Sequence, residues 1–147
     1  MANTLLHKTF TQSATSALTT ELNSIANGSA TSASSAIDNS SNLDPYITLE
    51  LNLAAQGGAR SAGAVVSVYI LTSLDGGSTY PTTNATAADL LATFPLSAAS
   101  TAEIATRSNL PIPQGFFKVF AVNSTGQSTA ASASTLRYRT HALNNNG

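Results

Sequence analysis

At 147 residues, 42% of them hydrophobic and only 9% charged, the chain has material for one compact core but little charge to place on its surface. Six basic against seven acidic residues leave a net charge of −1, which argues against nucleic-acid binding, and no run approaches the ~18 apolar residues of a membrane span. Cysteine is absent, which removes disulfides, thiolate metal sites and cysteine nucleophiles.

Ala, Ser, Thr and Asn make up about half of the chain. Small and β-branched side chains lose little entropy on a pleated surface, and hydroxyls wet that surface without fixed charge. Residues 1–12 carry Leu5, Leu6 and Phe10 without a sustained period and read as an arm or an edge strand. No basic run followed by an apolar stretch opens the chain, so synthesis in the cytosol without a signal peptide is expected. Over residues 14–25, Ala14, Ala17, Leu18, Leu22 and Ile25 fall at helical spacing, while Thr15, Thr19 and Thr20 dilute helix propensity. A short helix and a strand both fit there. Residues 27–42 are a Ser/Ala/Thr/Asn run, a loop by composition or a strand of small residues by alternation.

The clearest strand follows the Asp44-Pro45 turn: Ile47, Leu49, Leu51 and Leu53 alternate with Tyr46, Thr48, Glu50 and Asn52 in an unbroken period of two. A loop over residues 56–60 follows. The run Val65, Val66, Val68, Tyr69, Ile70, Leu71 is continuous and β-branched, as suits a strand covered on both faces. Asp75-Gly76-Gly77 breaks it. Residues 89–96 form a further strand that Pro95 confines to an edge or a bulge. Residues 101–110 carry a weaker signal. A stiff turn at Pro111-Ile112-Pro113 leads into a strand over 116–123, and the last strand covers 132–143, with Arg137, Arg139 and His141 opposite Leu136, Tyr138 and Thr140. Residues 144–147 are expected to fray. Seven or eight strands with turns every 8–12 residues predict an all-β antiparallel sandwich of jelly-roll type filling residues 13–143 as one domain.

Catalysis needs tunable groups held together. His7 and His141 stand at opposite ends of the chain, and Glu21, Asp38, Asp44, Glu50, Asp75, Asp89 and Glu103 are scattered, several beside turns where Asp serves the backbone. No phosphate loop, nucleophile elbow or dinucleotide fingerprint is present. The reading is therefore no enzyme, no metal and no cofactor. Arg137-Tyr138-Arg139 is a candidate interface, since two of the six cations stand on one strand face, and so are Leu5, Leu6 and Phe10.

Two resemblances add to this reading. Ser73-Leu74-Asp75-Gly76-Gly77-Ser78-Thr79-Tyr80 resembles the Asp-box, a Ser-x-Asp-Gly-Gly-x-Thr-Trp hairpin of sialidase-like propellers and other β proteins, with Tyr80 in place of Trp and a single copy. It implies a structural turn built on Asp75, Gly76, Gly77 and Tyr80, and no sialidase activity. Asp44-Pro45-Tyr46, Val68-Tyr69-Ile70-Leu71, the stretch Pro113-Gln114-Gly115-Phe116-Phe117-Lys118-Val119, Asn123-Ser124-Thr125-Gly126 and Leu136-Arg137-Tyr138-Arg139 together resemble capsid decoration, or cement, proteins of tailed bacteriophages. The resemblance covers residues 40–141. It implies a β-sandwich on the virion's capsid surface that binds the major capsid protein and copies of itself, as trimers or dimers, and stabilises the shell. Composition suggests a route to the same end: the strand over 46–53, bare of lysine, would be an aggregation hazard at a sheet edge unless a partner covered it. The alternative is a carbohydrate-binding or adhesive module on a phage fibre or tail, stacking sugars on Tyr46, Tyr69, Tyr80 or Tyr138.

Overall fold

The computed structural model describes the backbone of residues 4–7 and 14–146 and the side chains of residues 14–142. Among the described residues there are ten strands: β1 (Thr4–His7), β2 (Thr15–Leu18), β3 (Ile37–Asp38), β4 (Tyr46–Leu53), β5 (Val65–Thr72), β6 (Asp89–Pro95), β7 (Glu103–Pro111), β8 (Phe116–Ser124), β9 (Thr135–His141) and β10 (Leu143–Asn146). Eight of them build an antiparallel β-sandwich whose sheets run β2-β9-β4-β7 and β3-β8-β5-β6. β1 and β10 pair only with each other.

The alternation read in β4 is realised without a break: Ile47, Leu49, Leu51 and Leu53 are fully buried, and the residues between them are half-exposed. They meet Val66, Val68, Phe94, Phe117 and Val119 of the opposite sheet in one apolar cluster. β5 is fully covered only on its inner face; on the outer face, which its continuous hydrophobicity led one to expect covered as well, Val65, Ser67 and Tyr69 stay half-exposed and only Leu71 is buried. Its inward face joins that cluster, while on its outer face Leu71 is buried outside the cluster and Tyr69 stacks on the equally buried Phe120 of β8, ring centroids 5.3 Å apart.

Three further expectations are corrected. The helix that spacing allowed over residues 14–25 does not form; the segment is β2 followed by a single 3-10 turn, Thr20–Leu22. Leu18 and Leu22 are buried as a helix would bury them, but an extended pairing with β9 places Leu18 there and the 3-10 turn places Leu22, and three threonines favour the extended start. Of the residues 144–147 expected to fray, 144–146 belong to the strand β10. Its partner places His7 opposite Leu143, so the two chain ends are neighbours.

The third correction concerns edges. β4 lies between β9 and β7 in the interior of its sheet, so its bare aliphatic register is no hazard. The bordering strands β2, β3, β6 and β7 are each blunted within the chain. β2 has four residues and a bulge, and β3 has two residues. Ahead of β3, the small-residue run lies along the edge of β8 and completes its ladder with hydroxyls. Thr31 N–H donates to Ala121 O and Thr31 Oγ1 accepts from Ala121 N–H, and Ser34 repeats both bonds with Val119. β6 carries a bulge and ends in Pro95, and its Thr93 carbonyl accepts from Arg107 Nε at 2.8 Å. β7 is bulged near Asn109, which stands at φ +57°, and Glu103 and Arg107 occupy its inward register. Bulges, short borders and inward charges are the devices that keep sheet edges from pairing.

Candidate functional site

The two sheets present different outer faces. That of β9 and β4 carries Arg137, Arg139 and His141 beside Tyr46, Thr48, Glu50 and Asn52, by strand alternation and register. Arg137 pairs with Glu50 at 3.4 Å with both side chains nearly half exposed, so the pair adds little to stability. A shallow groove of about 110 Å³ runs between Thr48, Glu50, Thr106, Arg137 and Arg139. Toward one end of this face, His141 is buried against the Tyr46 ring and its Nε2 lies 2.9 Å from Asn109 Oδ1. The β7 bulge is what carries Asn109 within reach. Tyr138 faces the other way, against the core, and burial raises its phenol above the usual range. The candidate triplet is therefore split: two arginines outward, one tyrosine inward. The Leu5 and Leu6 side chains and all of Phe10 lie outside the described residues.

The Asp75 turn sits where β5 ends. Asp75 Oδ1 accepts from Ser73 Oγ (2.8 Å), Ser78 N–H (3.1 Å) and Thr79 N–H (2.9 Å), and Oδ2 accepts from Thr79 Oγ1 at 2.7 Å. These bonds to Thr79 and Ser73 hold the carboxyl down at about 2. Ser73 Oγ in turn accepts from Gly77 N–H at 2.8 Å. Gly76 and Gly77 stand at φ +70° and +90°, and a Cβ on Gly77 would lie 3.0 Å from the Phe116 ring. Lys118 Nζ sits 4.5 Å from the centroid of the Tyr80 ring. Burial first, then Asp75 and Asp38, raise the Tyr80 phenol. The connection from this turn to β6 is long, over residues 73–88, so the motif begins a wide loop and not a tight hairpin.

Arg60, which sequence reading left in a plain glycine-rich loop, is the most tightly held charge. Its side chain is fully buried and donates to Ser97 O, Thr101 O, Gln56 Oε1 and Glu103 Oε2, the last at 2.8 Å. It joins the loops at the end of the sandwich opposite Asp75. The signal available in sequence was only that Arg, unlike Lys, has five donors to satisfy several carbonyls at once.

Among the described residues no group of three or more His, Asp or Glu could hold a metal. Five of the seven carboxylates are tied into the fold: Glu21 to Thr19 N–H, Asp38 to Ser40, Glu50 to Arg137, Asp75 to its turn and Glu103 to Arg60 and Ser97. No helix is long and apolar enough to cross a membrane. The chain matches no protein-family model, and no curated protein matches it in sequence.

Proposed function

We propose that this chain is a non-enzymatic structural protein of a virus particle, a capsid decoration or cement protein that binds the outer surface of the shell and stabilises it. One observation carries the reading: among the described residues, an ion-poor β-sandwich has committed five of its seven carboxylates to turns, strand pairs and a buried arginine. Such a surface suits packing against other proteins.

The sandwich is read as a jelly roll. In support, counting from β2, the first, eighth, third and sixth strands share one sheet and the second, seventh, fourth and fifth share the other. That order follows when a long ribbon folds over as paired Greek keys, an architecture used by viral shell proteins and also by lectins, so fold alone assigns neither role. The sugar-binding alternative has less behind it. Tyr46 stacks on His141, Tyr69 on Phe120, Tyr80 lies under Lys118, and Tyr138 faces the core.

The partner is the major capsid protein, and the site of action is the virion, after synthesis in the host cytoplasm. The test is re-addition of the purified chain to capsids stripped of it, followed by sedimentation. Binding should saturate at a ratio set by the capsid lattice and raise the temperature at which shells release their DNA. Unsaturable binding, or none, would sink the proposal.

A further inference from the structure

Among the described residues, Asp44 and Asp89 are the carboxylates that no side-chain bond ties into the fold. Asp89 is exposed, whereas Asp44 is only 4% exposed and its Oδ1 is buried without a hydrogen-bond partner. Buried carboxylate oxygens are ordinarily satisfied, so this one needs a reason. The backbone beside it is, by contrast, gripped on both sides. Asn39, itself fully buried, accepts at Oδ1 from Asp44 N–H at 3.1 Å and donates from Nδ2 to the Asp44 carbonyl at 2.7 Å. Ile112 N–H donates to the Pro45 carbonyl at 3.1 Å. Just ahead, Leu43 is held at φ +51°, a conformation that residues other than glycine seldom adopt. The peptide bond between Asp44 and Pro45 is therefore fixed in place, next to a carboxyl oxygen with nothing else to bond. Its chemistry favours scission. An aspartate carboxyl reaches its own carbonyl carbon by closing a succinic anhydride ring, an intramolecular attack. Asn39 already donates to the oxygen on which negative charge would develop. The leaving nitrogen is proline's, a tertiary amide that is more basic than an ordinary peptide nitrogen.

We propose that the Asp44–Pro45 bond is a self-cleavage site, cut by the Asp44 carboxyl while Asn39 holds the scissile carbonyl. A carboxyl oxygen of Asp44 bonds to that residue's own carbonyl carbon, the C–N bond to Pro45 breaks, and the carboxyl proton passes to the proline nitrogen. The products are a cyclic anhydride at residue 44 and a free proline amine. Water then opens the anhydride, which restores the Asp44 side chain and leaves a new terminal carboxylate. The cut falls between β3 and β4. β2 and β3 lie before it and pair with β9 and β8, which lie after it, so both fragments stay in one sandwich. The inference goes beyond the decoration reading and stands on the free chain.

The test is intact-mass spectrometry of the purified full chain during incubation in mildly acidic buffer. Fragments 1–44 and 45–147 should accumulate with first-order kinetics, their masses together equal to the intact chain plus one water. Dilution and protease inhibitors should leave the rate unchanged, because the attack is within one residue. The fragments should coelute in gel filtration and separate in denaturant. Unfolding the chain in urea at the same pH should slow the cut about tenfold, since the Asn39 clamp is lost with the fold. Asp44→Ala keeps both Asn39 bonds, which go to the backbone, and should abolish the cut. Asn39→Ala should slow it about tenfold in the folded chain and leave the rate in urea unchanged. Should Asn39→Ala fail to fold, the comparison of buffer with urea still decides. Absence of fragments, a cut at another bond, a rate in urea as fast as in buffer, or a cut that survives Asp44→Ala would each overturn the proposal.

Discussion

Asp75 shows how a charged side chain can act for the backbone alone. Its folded-state carboxyl, at about 2, lies below the ordinary 3.8, so the turn's contribution is complete above about pH 4 and is lost as pH falls through 2. Asp75→Asn should therefore lower the melting temperature at pH 7 and reduce acid sensitivity between pH 4 and 2, with the part owed to Asp38 and Glu103 remaining, read from thermal melts across that range. Gly77 is constrained twice, by φ +90° and by the Phe116 ring. Gly77→Ala should cost about 1–3 kcal/mol in urea unfolding, with the Phe116 ring forced aside. Arg60 is another lever. Arg60→Ala leaves the Ser97 and Thr101 carbonyls without their donor, while Glu103 keeps its Ser97 bonds and some solvent, so it should cost about 1–3 kcal/mol in urea unfolding.

At the scale of elements, the small-residue run over 27–42 explains why the chain uses so much Ser and Thr. A regular strand would bond β8 through its backbone alone; this segment does so at Thr31 and Ser34 with one backbone and one hydroxyl bond each, which lets it turn away after every contact and offer no second edge. Thr31→Val keeps the shape and leaves the Ala121 N–H unpaired, so it should destabilise by about 1–3 kcal/mol, with faster amide exchange at Ala121. Arg107 guards the other side of the sandwich. Arg107→Ala uncovers the Thr93 carbonyl at the β6 border, and its effect on stability should be under about 1 kcal/mol while light scattering on heating rises. β7 was faint in sequence for the same reason it is safe at a border. Its inward register holds Glu103, Ala105 and Arg107 where an interior strand holds leucines, so the period of two lacks hydrophobic contrast.

The whole molecule is a sandwich with one apolar interior and two unlike outer faces, one polar with its cations on β9, the other aromatic and covered in part by the loop that follows Asp75. On the outer face of β5 and β8 only Leu71 and Phe120 are buried, and the continuous hydrophobicity of residues 65–71 reflects that partial cover. The concern that β4 would need a partner at an edge disappears at this scale, because strand position is decided by pairing and not by length or charge.

The sequence by itself determined the class of fold, the alternation of β4, the outward placing of Arg137 and Arg139, and the turn at Asp75, because period-two patterning and turn chemistry are local and survive in any arrangement of strands. Only the tertiary structure decided that β4 is interior, that Arg60 is buried, that Asn109 meets His141 and that the chain ends pair, each a contact between residues 30 or more positions apart. Spacing along the chain carries no record of such contacts, since which strand lies beside which is settled by burial of the whole apolar set at once.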